Sequence, residues 1–549
     1  METCRYLIIL VIAGLVTVMI APAATAYHNA LDNGPHAAIN ELAFSRVQSW
    51  MADSAGEPYL KKATFSQRAV EGCDAPHRDA CDNWSKKSAM DWVIYGGFSA
   101  DTPLTVALSH GYNPETDRGW DGIFYGSHQT ATNWTVATDN RYSFTRAKEY
   151  LTTALASPTG SDGLSAYEES YYGNAWRSIG ESMHMVSDMT VPSHVWIDPH
   201  PLSDPLEDSL TRNSVIDVGD KPFSSSVDYD ILFTTGDITR LMKNLASWTR
   251  TNFYSEDTIP DIPYGKDGYA YRTVDGESVP AARMRLITYV ITSQEATSDG
   301  FVENRVSDTV TVERMTVADK EILSAQKERI IPAAVQGSAI TLWAILPRFE
   351  AKIDRIVYNP GIGDARSGQT VLEGSLVHHP TKIWPSKPAI GNGAFIQVND
   401  KAPIRVLPSG NGGSADLSKI TYIIQAIPGD KVRLFYDFGG YVINSDEVTL
   451  PPGAGTSVTT SPPTARKTTP AVTTTQATIS AKTTLEDAPP GITCSEWSRS
   501  GFGVNNRYCC GPAANGTEVC HITQGGLRCN KDQKGTWICC NTIDDCVEW

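Results

Sequence analysis

The sequence predicts a multidomain protein with a mainly α-helical domain first and a small β-sandwich-like module second. A Thr/Pro-rich linker and a disulfide-rich C-terminal module are expected to follow. The 549 residues exceed one ordinary domain. Apolar residues recur at helical spacing in the first part, and short β-branched runs separated by turn residues come next. We place the four segments at residues 27–360, 361–452, 453–490 and 491–549.

The first 26 residues are typical of a secretory signal peptide. Arg5 supplies a positive charge, the apolar run LIILVIAGLVTVMIA follows, and Ala24-Thr25-Ala26 forms a small-residue cleavage site. Cleavage after Ala26 predicts a mature start at Tyr27 and a secreted or cell-surface protein. The alternative is an uncleaved anchor, for which the apolar run is slightly short. No later stretch is long and apolar enough to cross a membrane, so we expect no transmembrane span in the mature chain.

Charge and cysteine usage both fit an exported protein. The formal net charge of −16 argues against a basic surface for nucleic acid, which makes nucleic acid the less expected partner. Cys73 and Cys81 stand close together and predict one local disulfide, whereas eight cysteines follow residue 490 and predict a module with four bridges. Residues 453–490 are mostly Thr, Pro, Ser and Ala, which cannot form a core and predict an extended linker.

Helical periodicity organises the first domain. Pro35 is expected at the start of the first helix. Further helices are predicted at 143–156, 165–189, 236–253 and 318–346, the last with a kink at Pro332. The segment Tyr264–Val279 is rich in Tyr, Gly and Asp and predicts a hairpin or loop insertion.

The residues that carry chemistry concentrate in the stretch HMVSDMTVPSH. His184 and Asp188 are four residues apart, so on a helix they share one face. Pro192 is expected to end that helix, and His194 follows it. A single helical histidine is more often a hydrogen-bonded structural residue than a ligand. The full pattern of His, Asp, Pro and His is much less frequent by chance, and nitrogen and oxygen ligands of this kind suit zinc.

This pattern resembles the fingerprint of the zinc-dependent phospholipase C and single-strand nuclease superfamily. The resemblance extends over about residues 27–350 and implies a mostly helical domain that holds two or three zinc ions in a cleft. Other parts of the family pattern appear in order. Gly-Pro-His36 opens the first helix, Asp101 follows the glycine-containing stretch YGGFSA, and His110 precedes GYNP.

The resemblance also implies the ligands of each ion. They are Asp101, His110, His184 and Asp188 for one ion; the Tyr27 backbone, His36 and a shared Asp188 for a second; and His194, Glu207 and either His200 or Asp204 for the third. Tyr27 stands where tryptophan is usual, and Ser203 stands where a histidine is expected. Asp204 has a simpler interpretation as the N-cap of a short acidic helix.

Asp101 and Glu207 are the expected catalytic residues, with Asp101 placed to orient or deprotonate a water molecule. Glu181 is a further candidate, for orienting an imidazole ring. The implied activity is phospholipase C-type hydrolysis of a phospholipid or other phosphodiester, and Thr190 matches the phospholipase version of the motif. The alternatives are a zinc-dependent nuclease and a non-catalytic surface or adhesion protein on the same scaffold. The β module is expected to add peripheral contact with a membrane or cell surface.

Overall fold

The computed structural model of the protein describes residues 34–54, 57–75, 81–122, 126–158, 163–198, 204–221, 226–296, 302–359, 369–407 and 416–451, and the backbone of short strands beyond them. The predicted signal peptide, Tyr27, His200 and most of the predicted linker lie outside the described residues. The chain divides into two compact units, Met1–Thr469 and Pro470–Trp549. The helical domain and the β module therefore belong to one unit.

The described residues of the first unit form twelve α-helices. These are α1 Pro35–Asp53, α2 Ala89–Ser99, α3 Leu104–Ala107, α4 Ala131–Val136, α5 Phe144–Ala156, α6 Ala166–Asp188, α7 Pro192–Trp196, α8 Pro205–Asp208, α9 Arg212–Gly219, α10 Ile231–Thr235, α11 Ile238–Asn252 and α12 Lys320–Ile345. Two 3₁₀ turns, Pro58–Lys62 and Glu256–Thr258, accompany them.

The five helices that periodicity predicts are confirmed as α1, α5, α6, α11 and α12. Local chemistry explains several of their ends. Pro35 opens α1, and the side chain of Ser165 accepts a hydrogen bond from the backbone of Glu168 while that glutamate reaches back, which forms a capping box at α6. Pro332 lies inside α12.

The expectation of a mainly helical first domain needs one correction, because a three-stranded antiparallel sheet lies between α11 and α12. Its strands are β6 Tyr269–Val274, β7 Glu277–Ala296 and β8 Val302–Thr316. The hairpin predicted from Tyr264–Val279 is the beginning of this sheet. Residues 280–316 are rich in Thr, Val and Ile, which favour strands.

The remaining described strands of the first unit are β1 Ala63–Phe65, β2 Val70–Cys73, β3 Trp84–Lys87, β4 Asp121–Gly122, β5 Gly126–Ser127, β9 Arg348–Asn359, β10 Gln369–His379, β11 Ala394–Val398, β12 Ile404–Arg405, β13 Lys419–Gln425, β14 Lys431–Phe438, β15 Tyr441–Asn444, β16 Val448–Thr449 and β17 Ser457–Thr459.

Two antiparallel sheets build the β module. One sheet has the order β1-β15-β14-β11-β12, with β16 also on β14, and the other has the order β13-β10-β9-β17. They face each other closely, since a Cβ on Gly374 would lie 2.6 Å from the Leu434 side chain.

The β module is joined to the helical part of the chain by strand pairing. β9 begins at Arg348, ahead of the predicted boundary at residue 361, and pairs with β10 along its whole length. β1 comes from the segment after α1 and pairs with β15. Trp176 of α6 donates its indole N–H to the Gly439 carbonyl at 2.9 Å. The segment between α1 and α2 therefore belongs to both parts.

Close packing of α1 and α2 on α6 brings three helices to one point. The Gly180 backbone approaches Val93 so closely that a Cβ there would lie 2.2 Å from the Val93 carbonyl oxygen. The Asn40 amide donates to both the Val93 and Gly180 carbonyls, at 2.9 and 3.0 Å. α6 is buried along nearly all of its second half, because helices surround it there. Its C-terminal end consequently meets the first turn of α1 and the last turn of α2.

The predicted disulfide between Cys73 and Cys81 is confirmed. In the second unit the described backbone forms strands β18 Thr493–Cys494, β19 Ser498–Arg499, β20 Asn505–Pro512, β21 Glu518–Gln524, β22 Arg528–Lys531, β23 Trp537–Thr542 and β24 Asp545–Glu548. Within the part of the chain that can be described, we find no helix that combines the length and the apolar character needed to span a membrane.

Candidate metal centre

A cluster of imidazoles and carboxylates lies where α6 ends. His184 and Asp188 occupy the last turns of α6 and share one face, as their spacing predicts. Pro192 begins the short helix α7, which carries His194. His36 comes from the first turn of α1. All four side chains are buried, with Asp188 fully inaccessible to solvent.

We call one part of this cluster the Asp188 end; it consists of His36, Asp101, His110, His184 and Asp188. Asp188 is its centre. Its Oδ1 lies 3.5 Å from His36 Nε2, and its Oδ2 lies 3.3 Å from His184 Nε2 and 2.9 Å from His110 Nδ1. Asp101 Oδ1 lies 3.2 Å from His110 Nδ1 and 3.4 Å from His184 Nε2. Two sets of three side chains offer ligand atoms that all lie within 4.8 Å of one another.

Backbone carbonyls orient two of the imidazole rings. His184 Nδ1 lies 2.8 Å from the Gly97 carbonyl oxygen, and His194 Nδ1 lies 3.2 Å from the His110 carbonyl oxygen. Because a carbonyl oxygen only accepts, each Nδ1 must carry the hydrogen and donate it. In each neutral ring the Nε2 atom is therefore unprotonated, and its lone pair faces carboxylate oxygens.

A serine hydroxyl orients a third ring in the same way. His36 Nδ1 lies 2.8 Å from Ser187 Oγ, and that hydroxyl donates its hydrogen to the His184 carbonyl at 2.7 Å. Ser187 Oγ is then available to His36 only as an acceptor, so His36 Nδ1 donates. The tautomer of His36 thus also leaves an Nε2 lone pair facing Asp188. Partners of this kind on the far ring nitrogen are typical of metal-binding histidines.

Three of the separations fit a metal ion better than direct hydrogen bonds, whereas the 2.9 Å between His110 Nδ1 and Asp188 Oδ2 is also a hydrogen-bond distance. Two ligand atoms about 2.1 Å from one tetrahedral zinc ion are roughly 3.4 Å apart. The Nε2–carboxylate distances of His36, His184 and His194 are 3.3–3.5 Å, longer than an ordinary charge-assisted hydrogen bond. A lone pair that faces a carboxylate without an intervening cation is repulsive. The donor set therefore fits a metal ion.

Electrostatics support the same conclusion. Burial by itself raises the pKa of Asp188, but His184 and His194 outweigh it and hold that pKa well below its usual range. Burial lowers the pKa of His194, yet Asp188 and Glu207 raise it to about 10. The neighbouring carboxylates likewise raise the pKa of His184 despite burial. Burial and the nearby His184 lower the pKa of His36 to about 4. The carboxylates thus stabilise positive charge nearby, either a bound metal ion or, in its absence, protonated His184 and His194.

The second part of the cluster, the Glu207 end, consists of His194 and Glu207. His194 Nε2 lies 3.4 Å from Glu207 Oε1. Asp204 is close in sequence, and its Oδ1 accepts the Glu207 backbone N–H at 2.8 Å, which is the helix-cap role that the simpler interpretation predicts. His200 lies outside the described residues.

Sequence reasoning missed two of the groups that orient the rings. These are the Gly97 carbonyl at His184 and the Ser187 hydroxyl at His36. Glu181, the residue predicted to orient an imidazole, accepts hydrogen bonds from Arg177 and Ser99, and its role toward a ring stays a prediction. The glycine pair in YGGFS was the available signal for a close backbone approach.

A small cavity of about 10 Å³, with room for about one water molecule, adjoins the centre. His36 and Glu207 stand at its polar side, and its walls include Ile39, Leu206 and Ile330.

Comparison with known proteins gives little further guidance. No protein-family model matches the sequence, and no curated protein matches it. Among solved structures, the chain is similar to an alpha toxin from Clostridium absonum, with 11% identity and a TM-score of 0.29 over 78% of this chain and 97% of that chain. It is also similar to the Clostridium perfringens alpha-toxin from the avian strain SWCP, with 12% identity and a TM-score of 0.28 over 77% and 97%. Similarity at this level establishes neither a common fold nor a common activity.

Proposed function

We propose that this protein is a zinc-dependent phosphodiesterase of the phospholipase C type. One observation carries the proposal. Three buried imidazoles are held by Nδ1 so that their Nε2 lone pairs face carboxylates at 3.3–3.5 Å. Folded proteins rarely bury so many titratable groups together unless they hold a cation.

We propose the following assignment of ligands, in which the close groups His36–His184–Asp188 and Asp101–His110–His184 support the first two ions and Tyr27 and His200 lie outside the described residues. One ion would be held by Asp101, His110, His184 and Asp188; a second by His36, Asp188 and the Tyr27 backbone; and a third by His194, Glu207 and either His200 or Asp204. Zinc bound there would act as a Lewis acid that neutralises phosphate charge and lowers the pKa of a bound water to about 7.

The chain's own residues divide the remaining work. Asp188 is fully buried and can only hold its neighbours, whereas the Asp101 side chain is 22% exposed. Asp101 is therefore the carboxylate of the Asp188 end that a substrate or water can reach, and it would orient water and accept its proton. Glu207 would act at the other end of the site, beside His194.

The net charge favours a lipid over a nucleic acid. The chain carries a formal net charge of −16, which repels a polyanion beyond the local site. A secreted or cell-surface location, with peripheral membrane contact by the β module, completes the proposal. The exposed side chains of Ile423 and Ile427 in the β module are consistent with such contact.

The test is a direct comparison of substrates with the full-length chain purified in the presence of zinc. A chromogenic phosphocholine ester, phosphatidylcholine vesicles and single-stranded DNA would be assayed in parallel. We expect hydrolysis of the ester and the vesicles that a chelator abolishes and zinc restores. Hydrolysis of DNA alone would establish the nuclease alternative, and binding of zinc without any hydrolysis would support a non-catalytic surface protein.

A further inference from the structure

We infer that Glu181 is a positioning residue that, with Arg177 and Ser99, holds the Asp101 carboxylate in place at the metal centre. The inference rests on the proposed function, because it concerns a residue assigned there as a zinc ligand and proton acceptor. It is nevertheless about the chain's own contacts.

One carboxylate oxygen of Glu181 joins α6 to the last residue of α2, just ahead of Asp101. Glu181 lies on α6 three residues before His184 and is 3% exposed. Its Oε1 accepts the Ser99 hydroxyl at 2.9 Å and Arg177 Nε at 3.0 Å. Ser99 is the last residue of α2, two residues before Asp101. The side chain of Glu181 therefore reaches the segment that leads directly to Asp101.

Asp101 itself needs such support, because it lies beyond the end of α2. The Thr102 backbone N–H donates to the Ser99 carbonyl at 3.1 Å, so Asp101 sits in a turn that begins at Ser99. The Ser99 residue consequently closes this turn with its carbonyl and ties it to α6 with its hydroxyl. Asp188, in contrast, is held by α6 directly.

Arg177 holds the Glu181 carboxylate in place through its Nε, 3.0 Å from Glu181 Oε1. Its side chain is fully buried, and its NH1 donates to the Cys73 and Ala75 carbonyls, both at 2.9 Å. Its guanidinium lies over the Tyr142 ring, 3.7 Å from the centroid. A buried carboxylate without such a partner would be costly, and its side chain would be free to turn away.

Ser99 and Glu181 therefore control the distance between Asp101 and His184, and with it the ability of these two side chains to bind the same ion. Asp101 comes from the turn after α2 and His184 from α6, and Asp101 Oδ1 lies 3.4 Å from His184 Nε2. A shift of the turn by a few tenths of an ångström would change this separation. A purely structural role would change the stability of the fold but leave the metal affinity unchanged.

The test compares Ser99→Ala with the matched control Ser178→Ala in the full-length chain. Ser178 is a buried serine of α6 whose hydroxyl donates only within its own helix, to the Asn174 carbonyl at 2.8 Å. Glu181→Gln is a second variant that keeps the size of the side chain. Four quantities are measured: the melting temperature of the metal-free protein, zinc affinity by chelator competition, the absorption spectrum of the cobalt-substituted protein, and kcat and KM on the chromogenic ester.

We expect Ser99→Ala to weaken the affinity for one zinc ion and to lower kcat, each by about 10–100-fold, with KM little changed. The cobalt spectrum should change, and the metal-free melting temperatures of the two serine variants should agree. Glu181→Gln should alter the affinity and spectrum in the same direction. Zinc affinity and cobalt spectra identical to those of the unsubstituted protein would overturn the inference alone. An unsubstituted protein that binds no zinc would overturn the proposed function as well.

Discussion

The two ends of the candidate centre are built in different ways. Three of the five side chains of the Asp188 end, His36, His184 and Asp188, come from the 19-residue helix α1 and the 23-residue helix α6, which glycines and Asn40 pack tightly against α2. Asp101 and His110 follow the ends of α2 and α3. The Glu207 end depends on two short helices, α7 with five residues and α8 with four. Long packed helices fix side chains more firmly than short helices beside loops. We therefore expect tighter metal binding at the Asp188 end than at the Glu207 end.

The largest effect should follow from His184→Ala, because His184 belongs to both groups of close ligand atoms at the Asp188 end. Loss of a Lewis acid worth several kcal/mol should lower kcat/KM on the phosphocholine ester by on the order of 10³-fold or more. Zinc content, measured by mass spectrometry, should fall at the same time. His379→Ala in the β module is the matched control, and it should leave both quantities unchanged. Unaltered zinc content in His184→Ala would refute the ligand assignment.

Removal of metal should destabilise the protein in a manner that depends on pH. In the metal-free protein the pKa of His184 is raised above 6.5 and that of His194 is raised to about 10. Groups with a raised folded-state pKa stabilise the fold fully below the unfolded pKa of 6.5, and this stability is lost as the pH rises toward the folded value. Each such imidazole contributes a loss of up to about 1.4 kcal/mol per pH unit in that window. His36, with a pKa lowered to about 4, is neutral in the folded state there, and its opposing slope fades within about one pH unit above the unfolded pKa of 6.5.

Zinc has the opposite dependence, because it binds neutral imidazoles and competes with protons. The difference in the free energy of unfolding between zinc-loaded and chelator-treated protein should therefore increase as the pH rises from about 6.5 to 8.5. Urea titrations at several pH values would measure both curves. Parallel curves would show that the buried imidazoles are not metal ligands.

Glu207→Gln should affect only the Glu207 end. It removes the carboxylate charge beside His194 Nε2 while the contacts of Asp188 remain. Affinity for one zinc ion should fall by at least about 10–100-fold, while the other ions are retained. Chelator competition followed by metal analysis distinguishes the weakened zinc ion from the retained ones. Simultaneous loss of all zinc would mean that the two ends are not independent.

The smallest effect should come from Asp204→Ala. If Asp204 serves only as the cap of α8, its loss should cost about 1 kcal/mol of stability and leave zinc content unchanged. Thr211→Ala, which removes the equivalent cap of α9, is the matched control. Loss of zinc in Asp204→Ala but not in Thr211→Ala would assign Asp204, in place of His200, as the third ligand at the Glu207 end.

Local patterns predicted what depends on local geometry. The spacing of four between His184 and Asp188 placed both on one face of α6, and Pro35 and Ser165 marked helix starts. The orientation of the rings cannot be predicted from the sequence, because the carbonyls of Gly97 and His110 are brought to the site only by the packing of distant segments. The pairing of β1 with β15 joins residues far apart in the chain and has no local signal. The strands β7 and β8 were missed although their composition favoured them.

Zinc bound by the buried imidazoles and carboxylates at the end of α6 is the basis of the proposed function. The zinc content of the full-length protein, purified without chelator and dialysed against metal-free buffer, tests it. We expect two or three zinc ions per chain, of which those at the Asp188 end dissociate last. A folded protein that retains no metal and gains no stability when zinc is added would contradict it.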